Sequence, residues 1–214
     1  MCGRYMTPDQ AALERAWGLA APAGFEQSFN VVPSRAVPVL RTDEAGQNHL
    51  DLLTWGFQPA WSRKAWINAR SETLFTSRAF ASAARKRRCI VPAIGWYEWQ
   101  GDKPPRQPYV FHKDGFPVIT FAGIWTAREV DGVWVRSFAI ITTAATGALQ
   151  RIHHRKPVVL DSEQQGEWLD PALQEHAAAE LLKGSVSTIS TYPVSTMVNR
   201  PDAQGAECIS PLGS

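Results

Sequence analysis

Cysteine is scarce in this sequence, and long apolar runs are missing from it. The 214 residues include three cysteines and no CxxC pair, so neither a disulfide scaffold nor a zinc ribbon is indicated. No apolar run is long enough to span a bilayer, and the N-terminus lacks the basic-then-apolar pattern of a signal peptide. We therefore expect a cytoplasmic protein.

Motifs for metal, nucleotide and ester chemistry are also missing. The sequence has no HExxH and no carboxylate cluster at calcium spacing, so we expect no metal. It has no GxGxxG or Walker A loop, which removes the usual signals for a nucleotide cofactor. Without GxSxG, an α/β-hydrolase is not supported. We therefore expect a protein that works without a cofactor.

Charge is nearly balanced over the whole chain but not along it. The net charge is +2, yet residues 60–107 contain ten basic and three acidic residues. Such a region is typical of a polyanion partner, although a solvated helix face explains the basic run at 85–88 equally well. The chain also has nine tryptophans, five of which lie between residues 55 and 99.

The order of helix, strand and turn signals predicts an α+β fold in a single domain, 1–214. Helices are predicted from a cap at Thr7-Pro8 to about Trp17, over 77–88, near Asp161 and after Pro171. Strands are predicted at 36–41, 50–57, 89–99, 108–112, 117–125, 133–142, 186–191 and 207–210. Asp-Gly pairs at 114–115 and 131–132 indicate hairpins, so we predict a curved, mostly antiparallel, barrel-like sheet with peripheral helices.

Cys2 is the residue most informative about chemistry. Initiator methionine is normally removed before a small second residue, and its removal leaves Cys2 with an α-amine and a thiol on adjacent carbons. The amine, with a pKa of about 8, can form a Schiff base with an aldehyde, and the thiol can then close a thiazolidine ring. An N-terminal cysteine can equally serve as the nucleophile of a peptidase or an amidotransferase.

Four motifs, in order along the chain, carry a family resemblance. They are MCGRY at 1–5, WINARSET at 66–73, GWYEW at 95–99 and IHHRKP at 152–157, with smaller matches in FNVVP at 29–33 and GAE at 205–207. Together they resemble the SRAP family, the SOS-response-associated peptidase-like proteins that process abasic sites. One departure is His154, which replaces the acidic residue that usually follows the first histidine.

The resemblance implies roles for four catalytic residues. Cys2 forms the crosslink, Asn68 holds the cysteine and the crosslink in position, and Glu98 acts as acid and base. His153 assists ring opening and reversal; with two adjacent histidines either ring can face the site, and the motif position favours His153. On the residues alone, strand alternation puts Glu98 on the face of Trp96, and apolar surroundings raise the pKa of a carboxyl.

The resemblance also implies a DNA-binding surface. Arg4, Arg70 and Arg78 are expected on phosphates because the guanidinium fork suits that geometry. Trp61 and Trp99 are expected to stack on bases or to wedge at the abasic gap. Asn30, Pro33 and Thr142 complete the expected site. The expected partner is single-stranded DNA, or a single–double-strand junction, with an abasic site, bound by a monomer that joins the nucleoid when on DNA.

The function implied is covalent capture of abasic sites in the DNA-damage (SOS) response. Lyase-like Schiff-base chemistry at Cys2 forms a thiazolidine crosslink to the ring-opened sugar and shields the lesion. Two alternatives stay open: a cysteine peptidase, autoproteolytic or general, with His153 as base, and a non-covalent reader of single-stranded DNA or modified bases. The Cys2→Ala variant distinguishes them, because only the reader keeps its activity.

Overall fold

Strands dominate the part of the chain that the structure describes, residues 2–183 and 188–213 of a computed structural model. The strands are β1 Arg4–Met6, β2 Ala36–Thr42, β3 Asn48–Trp55, β4 Asn68–Arg70, β5 Arg88–Ala93, β6 Gly95–Gln100, β7 Gln107–His112, β8 Ile119–Val130, β9 Val133–Ala144, β10 Arg155–Pro157, β11 Val159–Leu160 and β12 Ser190–Pro193. The helices are α1 Gln10–Trp17, α2 Ala81–Lys86, α3 Ser162–Leu169 and α4 Glu175–Leu181.

Five of these strands close into a barrel. Their order is β9-β3-β2-β5-β8, and the long β8–β9 hairpin completes the ring. Only the β3–β9 contact in the ring is parallel. A second, antiparallel sheet of order β1-β6-β7-β12 lies beside the barrel. The predicted α+β architecture, with a mostly antiparallel, barrel-like sheet and peripheral helices, is confirmed.

Two strands share one edge of β9. The parallel pairing of β3 with β9 ends at Trp55 opposite Phe138, and β4 resumes it with Asn68 opposite Ile140. Residues 56–67 leave the sheet between these points and return to it. The Trp55 indole N–H donates to the Ile67 carbonyl at 2.9 Å, which ties the two ends of this excursion together. Asn68 is therefore fixed by the barrel and not by the loop before it.

Two of the described α-helices, α1 and α3, begin at a side-chain cap, and two predicted helices need correction. The Asp9 carboxylate accepts the Ala12 N–H at 2.6 Å, so the cap of α1 is Asp9, two residues after the predicted cap at Thr7. The helix predicted over 77–88 is α2, which is shorter because Arg88 already belongs to β5. The helix predicted near Asp161 is confirmed as α3, with a full capping box.

Turn signals predicted one hairpin correctly and one wrongly. Asp131 and Gly132, both at positive φ, join β8 to β9 as predicted. The turn at 114–115 is not a hairpin, because it joins β7 of the smaller sheet to β8 of the barrel. The single strand predicted at 89–99 is likewise two strands, β5 and β6, in different sheets.

The predicted C-terminal strands are only partly found. Residues 190–191 lie in β12, whereas 186 and 187 of the predicted strand lie outside the described residues. The strand predicted at 207–210 is wrong: Ala206–Ile209 forms a 3₁₀ helix, whose turn satisfies its backbone groups locally. Among the described helices, none combines the length and the apolar character needed to cross a membrane.

Trp168 on α3 joins the helices to the barrel. It is fully buried, and its indole N–H donates to the Cys89 carbonyl at 3.0 Å. We expect Trp168→Ala to lower the free energy of unfolding by about 3–5 kcal/mol, because it leaves a large cavity and an unsatisfied carbonyl. Denaturant unfolding measures the change. Trp134→Ala, at a position 67% exposed, should change it by less than about 0.5 kcal/mol, and equal losses would contradict the prediction.

Candidate functional site

Cys2 lies where the smaller sheet meets the barrel. Strand β1 pairs with β6, with Tyr5 opposite Trp96, and so carries Cys2 to the strand that holds the GWYEW motif. From the barrel, the Asn68 side-chain amide donates to the Cys2 carbonyl at 2.8 Å. The Cys2 thiol approaches the Arg4 carbonyl at 3.8 Å. Two separated motifs, on β4 and β6, thereby meet at the N-terminus.

The Cys2 thiol is in its neutral form at physiological pH. Its side chain is completely buried, and burial raises the pKa of the thiol well above its usual value. The nearby Glu98 carboxylate raises the pKa further, because a second negative charge is unfavourable there. The thiol is thus not a ready-made thiolate nucleophile of the kind that cysteine peptidases use.

Glu98 supplies a carboxyl that can exchange protons at neutral pH. It is on β6, only 2% exposed, and burial raises its pKa to about 7. The His153 Nδ1 atom lies 3.8 Å from the Glu98 Oε2 atom. Burial lowers the pKa of His153 to about 4, so this histidine is neutral at pH 7. Both shifts favour the uncharged forms, so the contact between the two side chains is not a strong ion pair.

His153, and not His154, faces Glu98. The His153 ring is half-buried and the Arg155 backbone N–H donates to its Nδ1 atom at 3.0 Å. The His154 ring is exposed and stacks on the outer face of His153, with 4.4 Å between the ring centroids. His153 therefore lies beside Glu98 even though position 154 is a histidine in place of the usual acidic residue.

An ion pair between two motifs borders the site, and the sequence analysis did not assign either residue a role. Both terminal nitrogens of Arg155 donate to the Glu72 carboxylate, at 2.6 and 2.9 Å, and one also donates to the Thr142 carbonyl at 2.6 Å. The hydrogen bonds from Arg155 lower the pKa of Glu72. The signal that could have found the pair is an arginine and a glutamate inside two motifs already recognised.

Three residues expected at DNA have their polar groups engaged within the protein. Arg4 donates to the Asn30 side chain at 2.9 Å and to the Val198 carbonyl at 2.8 Å. Asn30 is fully buried and donates to three carbonyls of the segment after β12. Thr142 is also fully buried, beneath Arg155. Their positions favour a supporting role, and Asn30 and Thr142 have no surface with which to touch a ligand.

The other expected DNA residues are at the surface. Trp61 is 58% exposed, and its ring centroid is 6.1 Å from that of Trp66. The Arg78 guanidinium lies 5.3 Å from the Trp61 ring centroid. Trp99 is half-buried, with its indole N–H donated to the Asn199 side chain at 2.6 Å. The remaining two, Arg70 and Pro33, are exposed. Contact of these residues with DNA stays a prediction.

Metal-ligating side chains do not gather in this site. Within the described ranges, 2–183 and 188–213, no three His, Cys, Asp or Glu side chains are placed to hold an ion.

A family model and several known proteins match this chain over most of its length. The family model described as SOS response associated peptidase (SRAP) matches residues 1–201. The chain is 34% identical to the abasic site processing protein YedK of Escherichia coli, over 86% of this chain and 84% of YedK. It is 30% identical to the abasic site processing protein YoaM of Bacillus subtilis, over 98% and 97%.

A solved structure of a Bacteroides thetaiotaomicron protein shares the fold. It superposes with a TM-score of 0.84 over 99% of each chain, at 21% identity. The family model spans the four motifs whose side chains meet at Cys2. On this agreement between sequence and structure, the chain belongs to the SRAP family.

Proposed function

We propose that this protein captures abasic sites in single-stranded DNA by a covalent bond to Cys2 as part of a DNA-damage response. The observation that carries the proposal is the convergence of Asn68, Glu98 and His153 on Cys2 from three separate motifs. The names of YedK and YoaM, abasic site processing proteins, support the same substrate. The alternative, a non-covalent reader, leaves the buried Glu98 carboxyl without a task.

The reaction needs an aldehyde and the two groups that Cys2 offers once Met1 is removed. The sugar of an abasic site opens to expose an aldehyde at C1′. The Cys2 α-amine attacks C1′, and loss of one water gives an imine. The sulfur then adds to C1′, the thiol proton passes to the imine nitrogen, and a thiazolidine ring results. No oxidant or metal is required, and the second step gains from proximity because it is intramolecular.

The neighbouring groups fit the proton movements of this sequence. With a pKa near 7, Glu98 can take a proton from the α-ammonium and return it to the departing water. Neutral His153, 3.8 Å from Glu98, can assist opening and closing of the sugar. Asn68 holds the Cys2 backbone, so that the amine keeps its direction. The neutral thiol carries the proton that the imine nitrogen takes up when the sulfur adds.

A peptidase acting on other proteins is less well supported. Such an enzyme needs a thiolate, and the pKa of the Cys2 thiol is shifted in the opposite direction. A peptidase activity limited to removal of the protein's own Met1 is compatible with the proposal, because that removal exposes the α-amine on which the capture depends. Shielding of the lesion follows from the covalent bond itself, since C1′ is no longer an aldehyde.

Intact-mass measurement tests the proposal directly. We expect the purified protein to be lighter than its full sequence by one methionine residue. After incubation with single-stranded DNA treated with uracil-DNA glycosylase, we expect a new species whose mass is protein plus oligonucleotide minus one water. An oligonucleotide with a tetrahydrofuran in place of the abasic sugar cannot open to an aldehyde and should give no adduct. A protein that keeps Met1, or that forms the adduct with both oligonucleotides, would refute the mechanism.

A further inference from the structure

The end of the barrel marked by the start of β9 has an unusual set of side chains. On each barrel strand, inward-facing residues alternate along the strand, as in Val37 and Val39 of β2. Two residues past the apolar cluster on β2, β3 and β9 lie Arg41, Asp51 and Arg136. Together with Trp125 of β8, which packs at the edge of that cluster, and Arg87, which directly precedes β5, they form a set that we call the basic mouth. A barrel end closed for stability alone would carry apolar or charge-balanced side chains.

Charge in the basic mouth is not balanced. Asp51 pairs with Arg41 at 2.6 Å and lies 3.7 Å from Arg136, so one carboxylate serves two guanidinium groups. Arg87 forms no ion pair with any described residue, and its guanidinium lies 5.8 Å from the Trp125 ring centroid. The Arg41 guanidinium lies 5.4 Å from the same centroid. Cations thus collect around one aromatic ring.

A cavity of about 470 Å³ opens beside this ring. Its walls include Arg41, Trp125 and the basic run at 85–88. Two members of the run are engaged elsewhere: Arg85 pairs with Glu175 at 2.7 Å, and Arg88 donates to the Trp168 and Asp170 carbonyls. Lys86 and Arg87 are exposed and remain for a ligand. Two acidic residues also line the cavity: Asp43, which is bonded to His49 at 2.7 Å, and Glu44. The basic residues of the wall outnumber them.

We propose that the basic mouth binds phosphate groups, and that these belong to the DNA strand that flanks the captured lesion. The inference rests on the proposed function, which brings the strand to the protein. Asn68, which holds Cys2, pairs with Ile140, four residues after Arg136 on β9, so the mouth and Asn68 are about 13 Å apart along the strand. That distance equals about four nucleotides of a stacked strand at about 3.4 Å each. Flanking DNA of at least this length can occupy both places.

Binding of undamaged DNA of two lengths tests this inference. For single strands of about 20 nucleotides, we expect the Lys86→Gln/Arg87→Gln variant to bind more weakly than the wild type. The slope of log K against the logarithm of the salt concentration should be shallower by about 1.4, or about 0.7 for each lost phosphate contact. For strands of about three nucleotides, too short to reach the mouth from Cys2, we expect no change. The control variant Arg15→Gln/Lys113→Gln removes the same charge outside both places and should match the wild type at both lengths.

Several outcomes would overturn the inference. Unchanged binding of the long strand, equal losses at both lengths, or an equal loss in the control variant would each do so. Inorganic phosphate, titrated at constant ionic strength, should not reproduce the difference; if it saturates the mouth and long DNA does not compete, the ligand is free phosphate and the DNA assignment is wrong. Crosslinking of a three-nucleotide abasic strand reports separately on Cys2, so a failure of the proposed function is recognised independently.

Discussion

The Cys2→Ala variant is expected to lose heat-resistant crosslinking to abasic DNA completely while it still binds undamaged single-stranded DNA. The methyl group cannot close the thiazolidine ring, whereas the surfaces around Trp61 and Arg78 are unchanged. Alanine at position 2 also permits removal of Met1, so the α-amine remains. We therefore expect an imine that borohydride traps and that heat dissociates without it. Denaturing gels with and without borohydride measure both species.

This variant separates the three functional hypotheses. A cysteine peptidase would lose its proteolytic activity and would never have formed a water-loss adduct with DNA. A non-covalent reader would be unaffected by the substitution and indifferent to the lesion. Persistence of the heat-resistant band in Cys2→Ala without borohydride would contradict the thiazolidine mechanism outright. Thermal unfolding of the variant provides the check that the fully buried position tolerates the change.

Replacement of Glu98 by glutamine is expected to slow crosslinking by about 10²–10⁴-fold, the usual contribution of a positioned acid–base group. The wild-type rate should fall as the pH decreases through about 7, because the carboxylate that accepts the ammonium proton is then lost. The variant should lack this inflection and follow the α-amine alone, near pH 8. Single-turnover rates from pH 5 to 9 measure the profile.

Stability gives an independent check on Glu98. Its pKa in the folded protein is raised to about 7, above the ordinary value of 4.5, so the folded state holds the proton more tightly than the unfolded state. The carboxyl therefore costs stability as the pH rises from 4.5 through 7, and a glutamine does not. Above pH 7, Glu98→Gln should unfold at a temperature no lower than the wild type.

The control for the rate experiment is Glu163→Gln, at an exposed site, which should alter neither the crosslinking rate nor its pH profile. An unchanged pH profile in Glu98→Gln would exclude the assigned role.

Local signals in the sequence predicted most of the elements but not how they assemble. Capping residues and β-branched runs located the helices and the barrel strands, because these signals act within a few residues. They missed the division at Ile94, where one apolar run passes from the barrel to the smaller sheet. That division depends on which surfaces pack together, and an Asp-Gly pair such as 114–115 has the same turn chemistry whether or not its strands pair.

The site was predictable in composition and less so in arrangement. Motif order selected Cys2, Asn68, Glu98 and His153, which the fold brings together while their roles stay predictions, and the apolar surroundings inferred for Glu98 agree with its raised pKa. The full burial of Asn30 and Thr142 could not be anticipated, since burial is a property of the folded chain. The Arg155–Glu72 pair was missed for the same reason: the two residues are 83 positions apart and meet only when β10 and β4 pair with β9.

The shared edge of β9 has an evolutionary consequence. Strands β3 and β4 pair one after the other with the same edge of β9. Insertion, deletion or exchange of residues 58–65 therefore alters the surface around Trp61 without shifting the register of Asn68 against β9. Selection can thus change the exposed surface around Trp61 while the position of Asn68 beside Cys2 is inherited intact. Grafting this excursion between homologues tests whether that surface influences which DNA is bound.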